Sequence, residues 1–244
     1  MLTDRTILVT GGSSGIGREL VRQFASHGAR VLATARREAA LLETADGLDP
    51  ASVLTVPADL GSRTGRELLA TEAIRIAPID VVVHAAGTLG PKAALVDYPE
   101  DAWHEVFHIN VTAVQLLHQE LAPLLSPTAT IIGVSSSVGR RGRGGWGMYA
   151  ISKSALEGWL EVLADEWRGP VYSVNPGGTA TPMRAEAMPD EDPTTIPTPA
   201  DIAPIFLRLA GPKPGAATGE KFDARDFIGS DPWAVAEDGP ETVG

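Results

Sequence analysis

The chain has 244 residues, 43% of them apolar and 21% charged, with a formal net charge of −11 and no cysteine. That length suits one large α/β core and is awkward for two. The negative charge argues against nucleic acid and anionic membranes as partners, and the absence of cysteine excludes disulfides and thiol chemistry. Met1 to Arg5 lack the basic start and apolar run of a signal peptide, and no run of about 18 apolar residues occurs. The expectation is a soluble, cytoplasmic protein.

Thr6 to Thr10 is a short β-branched run, read as a buried strand. Gly11-Gly12-Ser13-Ser14-Gly15-Ile16-Gly17 follows at once, then a helical stretch from Arg18 to Ala25, then a strand from Ala29 to Ala35. Backbone N–H groups at such a helix start can hold a pyrophosphate, and glycines let the backbone come close to it. The spacing is Thr10-Gly11-x-x-x-Gly15-x-Gly17 rather than the commoner Gly-x-Gly-x-x-Gly. A turn without ligand is the alternative, but the strand–turn–helix–strand context favours a dinucleotide, with Thr10, Gly11, Ser13, Ser14, Gly15, Ile16 and Gly17 around it. At the end of the second strand an NAD site normally carries an acidic residue. Here Ala35 stands there and Arg36 and Arg37 follow, suited to a 2′-phosphate. The cofactor expected is NADP, with NAD second, although no Lys or Arg lies inside the glycine loop.

Ser52 to Ala58 reads as a third strand ending at Asp59 and Leu60. Asp59 either accepts from an adenine amino group or caps the helix that starts near Ser62. Gly61 to Ala77 is helical, and Ile79 to Val83 is a continuous apolar strand, as a parallel sheet covered on both faces requires. Ala85, Ala86 and Gly87 after it let the chain pass under a flat ligand. A long helical reach runs from about Asp101 to Leu125. His104 and His108 within it lack a third ligand, so no metal is expected. Asn110 is either a buried amide satisfied by backbone or the holder of a water in a proton relay.

Thr130 to Ser137 is a strand ending in hydroxyls, which places them beyond the carboxyl end of a sheet, where ligands of open α/β sheets bind. Arg140, Arg141 and Arg143 follow in a Gly-rich loop and either meet an anionic substrate or are solvated. Tyr149 and Lys153 stand four apart at the start of a helix that runs to about Trp167, so phenol and ammonium share a face. A nearby ammonium in a partly desolvated cleft, helped by a cationic cofactor ring, favours the phenolate, and the expectation is a Tyr149 pKa below its usual value of about 10. Val171 to Val174 is the next strand. Pro176, Gly177, Thr179 and Thr181 follow it, and their turn is placed near the nicotinamide end. Residues 183–199 are acidic and Pro-rich and read as a mobile lid. Trp146, Met148 and Met183 should shape an apolar pocket. A last helix begins near Ala200, Thr218 to Asp223 is an edge strand, and 229–244 reads as a loose tail.

Taken together and in order, Thr10 to Gly17, Asp59, Ala85-Ala86-Gly87, Asn110, Ser136, Tyr149, Lys153 and Pro176-Gly177 with Thr181 make the chain resemble the short-chain dehydrogenase/reductase family from Thr6 to about Asp223. Its Ser135 to Gly147 and Asn175 to Thr179 segments are most similar to a poorly characterised bacterial subgroup. The resemblance implies one domain over 1–244, a doubly wound parallel sheet of Rossmann type with helices on both faces. It implies Tyr149 as the acid/base on the substrate oxygen and Ser136 holding that oxygen. Lys153 would bond the nicotinamide ribose and lower the phenol pKa, and Asn110 would fix a water. The activity implied is NADP-dependent hydride transfer with a small carbonyl or alcohol, in a homodimer or homotetramer. Apolar Leu156, Trp159, Leu160 and Leu163 are more than one sheet face needs, which agrees with an oligomer. A nucleotide-binding sensor or scaffold, or a lyase or epimerase on the same fold, are the rival readings. The chain departs from the family at His84-Ala85, where Asn-Asn is usual, and after Asp223.

Overall fold

The computed structural model describes residues 1–212 and 214–234. Seven strands form one parallel sheet in the order β3-β2-β1-β4-β5-β6-β7. They are β1 (Thr6–Thr10), β2 (Arg30–Ala35), β3 (Val53–Pro57), β4 (Ile79–His84), β5 (Leu125–Val134), β6 (Val171–Asn175) and β7 (Lys221–Asp223). Parallel neighbours need crossovers, and helices supply them. These are α1 (Gly15–Ser26), α2 (Glu38–Ala45), α3 (Arg63–Ala73), α4 (Glu100–Phe107), α5 (Ala113–Leu121), α6 (Ser137–Arg140), α7 (Gly147–Glu166), α8 (Pro182–Ala187) and α9 (Ala203–Ala210).

The strand residues alternate between two cores. Ile7, Val9, Val81 and Val83 pack with Leu20, Phe24 and Phe206 of α1 and α9 on one face. Leu8, Val82 and Ile131 pack with Leu69, Leu117, Leu156 and Leu160 of α3, α5 and α7 on the other. Side chains of successive strand residues point to opposite faces, so continuously apolar strands need helices on both sides. Strand order reverses between β1 and β4, which opens a crevice beyond their carboxyl ends.

Three expectations change. The reach from Asp101 to Leu125 is not one helix: a π turn over His108–Thr112 separates α4 from α5, and Asn110 lies inside it. Strand β5 begins at Leu125, five residues before Thr130, with a register irregularity against β4. Segment 183–199, read as a lid, begins inside α8, and Arg184 pairs with Glu191 at 2.5 Å, so local bonds fill a stretch with no apolar period. Leu156, Leu160 and Leu163 are buried within this one chain and Trp159 packs against the same core, so they are not surplus apolar surface. Within the supposed tail, Trp233 packs on His27 with ring centroids 5.6 Å apart; from 235 onward that expectation falls outside the described residues. No helix among the described residues is long and apolar enough to cross a membrane.

Candidate active site

A cleft of about 580 Å³ lies over the carboxyl ends of β1, β4 and β5. At one end β1 turns sharply at Gly11, whose φ of 73° suits glycine and whose missing Cβ would sit 2.9 Å from the Ala86 Cα. A Cβ on Gly17 would strike the Gly11 carbonyl, so the glycine spacing is what lets α1 start against this turn. Ser14 precedes α1 with no side-chain cap, and the first turn carries no acidic residue. Its N–H groups and positive helix end are left for an anion. Thr10 sits below the cleft: its hydroxyl accepts from the Ala85 and Ala86 amides at 3.1 and 3.0 Å and so holds that strip in place. Gly11, Ser13, Ser14, Gly15, Ile16, Gly17, Ala85, Ala86 and Gly87 line the cleft.

Arg36 and Arg37 reach the same wall and are exposed, with no ion pair or hydrogen bond to either guanidinium among the described residues. Asp59 and Leu60 close the side. Of the two roles open to Asp59, capping the helix belongs instead to Ser62, which accepts from the Gly65 amide at 3.0 Å. The Asp59 carboxylate accepts from the Gly61 amide at 3.0 Å and remains on the cleft edge. An uncapped helix start, a glycine turn and two free guanidinia fit a phosphorylated dinucleotide.

Toward the middle, β5 delivers Ser136, which caps α6 by accepting from Val138 N at 3.4 Å. Gly139 lets α6 cross α7 at Lys153: a Cβ there would come within 2.7 Å of the Lys153 Cβ. Tyr149 and Lys153 lie one turn apart on α7, both facing the cleft, with Nζ 5.9 Å from the phenol ring centre. Lys153 is 5% exposed and donates to the Val134 carbonyl at 2.7 Å. Burial brings its pKa down to about 8, opposed by the charge of Glu157. Burial also pushes the Tyr149 phenol above its ordinary value, with a hydrogen bond from Ser136 acting the other way. In the chain alone, desolvation of the phenolate outweighs the help its neighbours give, the opposite direction to the lowering expected beside a cationic cofactor ring.

Asn110, 1% exposed, does not line the cleft. Its carbonyl accepts from Thr88 N at 2.8 Å, and its amide donates to Thr88 O and Ser152 Oγ, each at 2.9 Å. Its side chain is thus satisfied by protein groups, and it pins the 87–88 strip to α7. Pro176, Gly177, Thr179 and Thr181 line the far wall. Thr179 donates to Pro176 O at 3.1 Å, and Thr181 caps α8 by accepting from Arg184 N at 3.1 Å.

Beyond Tyr149 the walls turn apolar: Leu89, Trp146, Met183 and Ala187. Met148 is fully buried and takes no part in them. Lys92 lies over the Trp146 ring at 4.6 Å and donates to Ala187 O at 2.8 Å, tying the end of α8 to this wall. Leu89 and Lys92 carry no motif, and only the folded chain brings them here. Arg140, expected to be solvated or to meet substrate, instead pairs with Glu157 and Asp223. Arg141 and Arg143 are exposed. His104 is exposed near Glu100, and His108 bonds the Gly61 carbonyl at 2.7 Å.

The family model for short chain dehydrogenase matches residues 5–192. The chain belongs to the short chain dehydrogenase family. Its members are NAD(P)-dependent oxidoreductases, and this chain is an enzyme of that kind. It is 42% identical over 235 residues to Uncharacterized oxidoreductase YciK of Escherichia coli K12, covering 92% of this chain and 93% of that protein. A short chain dehydrogenase from Shigella flexneri 2a, solved in complex with NADP, superposes with a TM-score of 0.86 at 42% identity over 92% of this chain and 98% of the other. Another from Escherichia coli CFT073, in complex with NADPH, does so at 0.84 and 42% over the same shares.

Proposed function

We propose that this chain is an NADP-dependent reductase or dehydrogenase of a small carbonyl/alcohol pair, with Tyr149 as the acid/base. One observation carries the reading: Tyr149, Lys153 and Ser136 open into the same cleft as the uncapped start of α1 and the free Arg36 and Arg37. The NADP and NADPH bound by the two similar proteins agree with it. The α1 amides would hold the pyrophosphate, Arg36 and Arg37 the 2′-phosphate, and Lys153 the ribose beside the nicotinamide. NADPH, when bound, supplies the hydride. Tyr149 gives its proton to the carbonyl oxygen while the Ser136 hydroxyl donates a hydrogen bond to the same atom. Burial keeps the phenol protonated at neutral pH, the state needed to reduce a carbonyl.

Leu89, Trp146, Met183 and Ala187 favour an apolar substrate body, with α8 and the rest of 183–199 closing over it. A homodimer or homotetramer belongs to the same reading. With the α7 leucines buried, its support rests on exposed Trp103, Phe107 and Val162 of α4 and α7, and light scattering checks it. The reading as a whole is tested by following NADPH absorbance over a panel of apolar aldehydes and ketones. Carbonyl-dependent loss of absorbance is expected. Substrate conversion without net NADPH consumption would point to a lyase or epimerase instead.

A further inference from the structure

Glu157 lies one turn beyond Lys153 on α7 and is 5% exposed, an expensive place for a carboxylate unless it is paired. Its partners come from three other elements. Arg140 Nε of α6 donates to it at 3.2 Å, Ser173 Oγ of β6 at 2.6 Å, and Lys221 Nζ of β7 lies at 3.2 Å. Two of those elements, α6 and β6, and α7 itself carry or border a wall of the cleft. Helix α6 is capped by Ser136, α7 bears Tyr149 and Lys153, and β6 leads into Pro176 and Gly177. The network then runs on. Arg140 Nη1 donates to Asp223 at 3.2 Å, Asn175 Nδ2 donates to Asp223 at 2.5 Å, and Gly177 N donates to Asn175 Oδ1 at 3.0 Å.

We propose that Glu157 is a positioning residue for Lys153: one turn along the same helix, its buried carboxylate favours the charged ammonium while it joins α6, α7, β6 and β7 into one support for the helix face that carries Lys153. The proposal rests on the role given to Lys153 above. Around Glu157 stand the cations Arg140 and Lys221 and the anions Glu161 and Asp223. Ser173 is the group that β6 offers it. Around Lys153 stand Tyr149 and Glu157 on its own helix, and the carbonyl of Val134 from β5. Asn110 of the π turn and Lys153 both border Gly87. Glu157 stands one turn from Lys153 on the same helix, and its charge favours the ammonium while burial opposes it. Burial also works against Glu157 itself, but bonds from Ser135, Ser173 and Lys221 and the charge of Arg140 hold its carboxyl below its ordinary value, so it is ionised at neutral pH.

The chain has four lysines, so each side-chain Cε can be followed by NMR in protein labelled with ¹³C-lysine. In the wild-type protein the Lys153 curve should be centred near pH 8. Glu157→Gln keeps a hydrogen-bonding side chain of the same length and removes its charge. It should move the Lys153 curve to lower pH by roughly one unit, with Lys92 unmoved. Lys221→Gln removes a cation that competes for Glu157 and should move the Lys153 curve the opposite way. A merely structural role would not produce shifts of opposite sign. The same Lys153 curve in wild type and both variants would overturn the proposal. If Glu157→Gln does not fold, Lys221→Gln decides alone: an upward shift supports the proposal and an unmoved curve overturns it. The titration needs neither cofactor nor turnover, so its failure is distinct from failure of the proposed reaction.

Discussion

At the β1–β2 end of the cleft the surface is mostly backbone and short side chains: a glycine turn, an uncapped helix start, Ala85, Ala86 and Gly87, and two free arginines. At the α7–α8 end it is made of large side chains brought from separate segments: Leu89 after β4, Trp146 before α7, and Met183 and Ala187 on α8. The first end depends on what the chain leaves out, a Cβ at Gly11 and Gly17 or a cap at Ser14. The second depends on what it puts in. A ligand shared by many proteins is met by geometry that few residues permit, and a particular substrate by side chains that can vary freely.

The sharpest break of that comparison is Arg36→Ala. It should weaken NADPH binding by roughly 10- to 100-fold, the worth of a charged hydrogen-bonding group, and leave NADH nearly unchanged. Fluorescence titration of both nucleotides measures it, and equal losses would take Arg36 out of 2′-phosphate recognition. Next is Trp146→Ala at the other end. It should raise KM for an apolar carbonyl by about tenfold with kcat and NADPH affinity little changed, because it removes buried apolar area felt equally in ground and transition states. A loss of NADPH affinity in that variant would show that the two ends are not separable.

The smallest effect concerns His84, at the end of β4 between the two. It is 2% exposed, its Nε2 has no partner among the described residues, and it packs against Trp159 and His118. Burial, with the neighbouring His118, brings its pKa down from 6.5 to about 3. The folded state therefore binds the proton later than the unfolded state. His84 costs no proton-linked stability above pH 6.5, and it draws stability away as pH falls from 6.5 toward 3. Urea unfolding of His84→Asn should show a weaker loss between pH 7 and 5 than wild type. Parallel losses would put the acid sensitivity elsewhere.

How much could be read from the sequence follows the same division. The glycine turn, the parallel apolar strands and the Tyr149–Lys153 spacing were legible because each is local: a strand period, a helix turn, a missing Cβ. Asn110 was not legible as the centre of a π turn, since its bonds to Thr88 and Ser152 are long-range. Arg140 looked like loop charge because Glu157, Asp223 and Phe222, which hold it, lie 17 to 83 positions away. The sign of the Tyr149 shift was missed for a related reason: spacing gives the neighbour, but only the folded chain gives the burial that outweighs it. The leucines of α7 looked surplus because the sequence does not show how deep α3 and α5 bring the opposite wall.

The central claim is that nucleotide and proton donor meet in this one cleft, and Tyr149→Phe tests it most directly. The substitution keeps the ring and removes the hydroxyl. On a carbonyl that the wild-type protein reduces, kcat should fall by at least about 10²-fold, the low end of a general acid's contribution, while the NADPH dissociation constant stays within about twofold. Reduction by Tyr149→Phe at close to the wild-type rate would contradict the account.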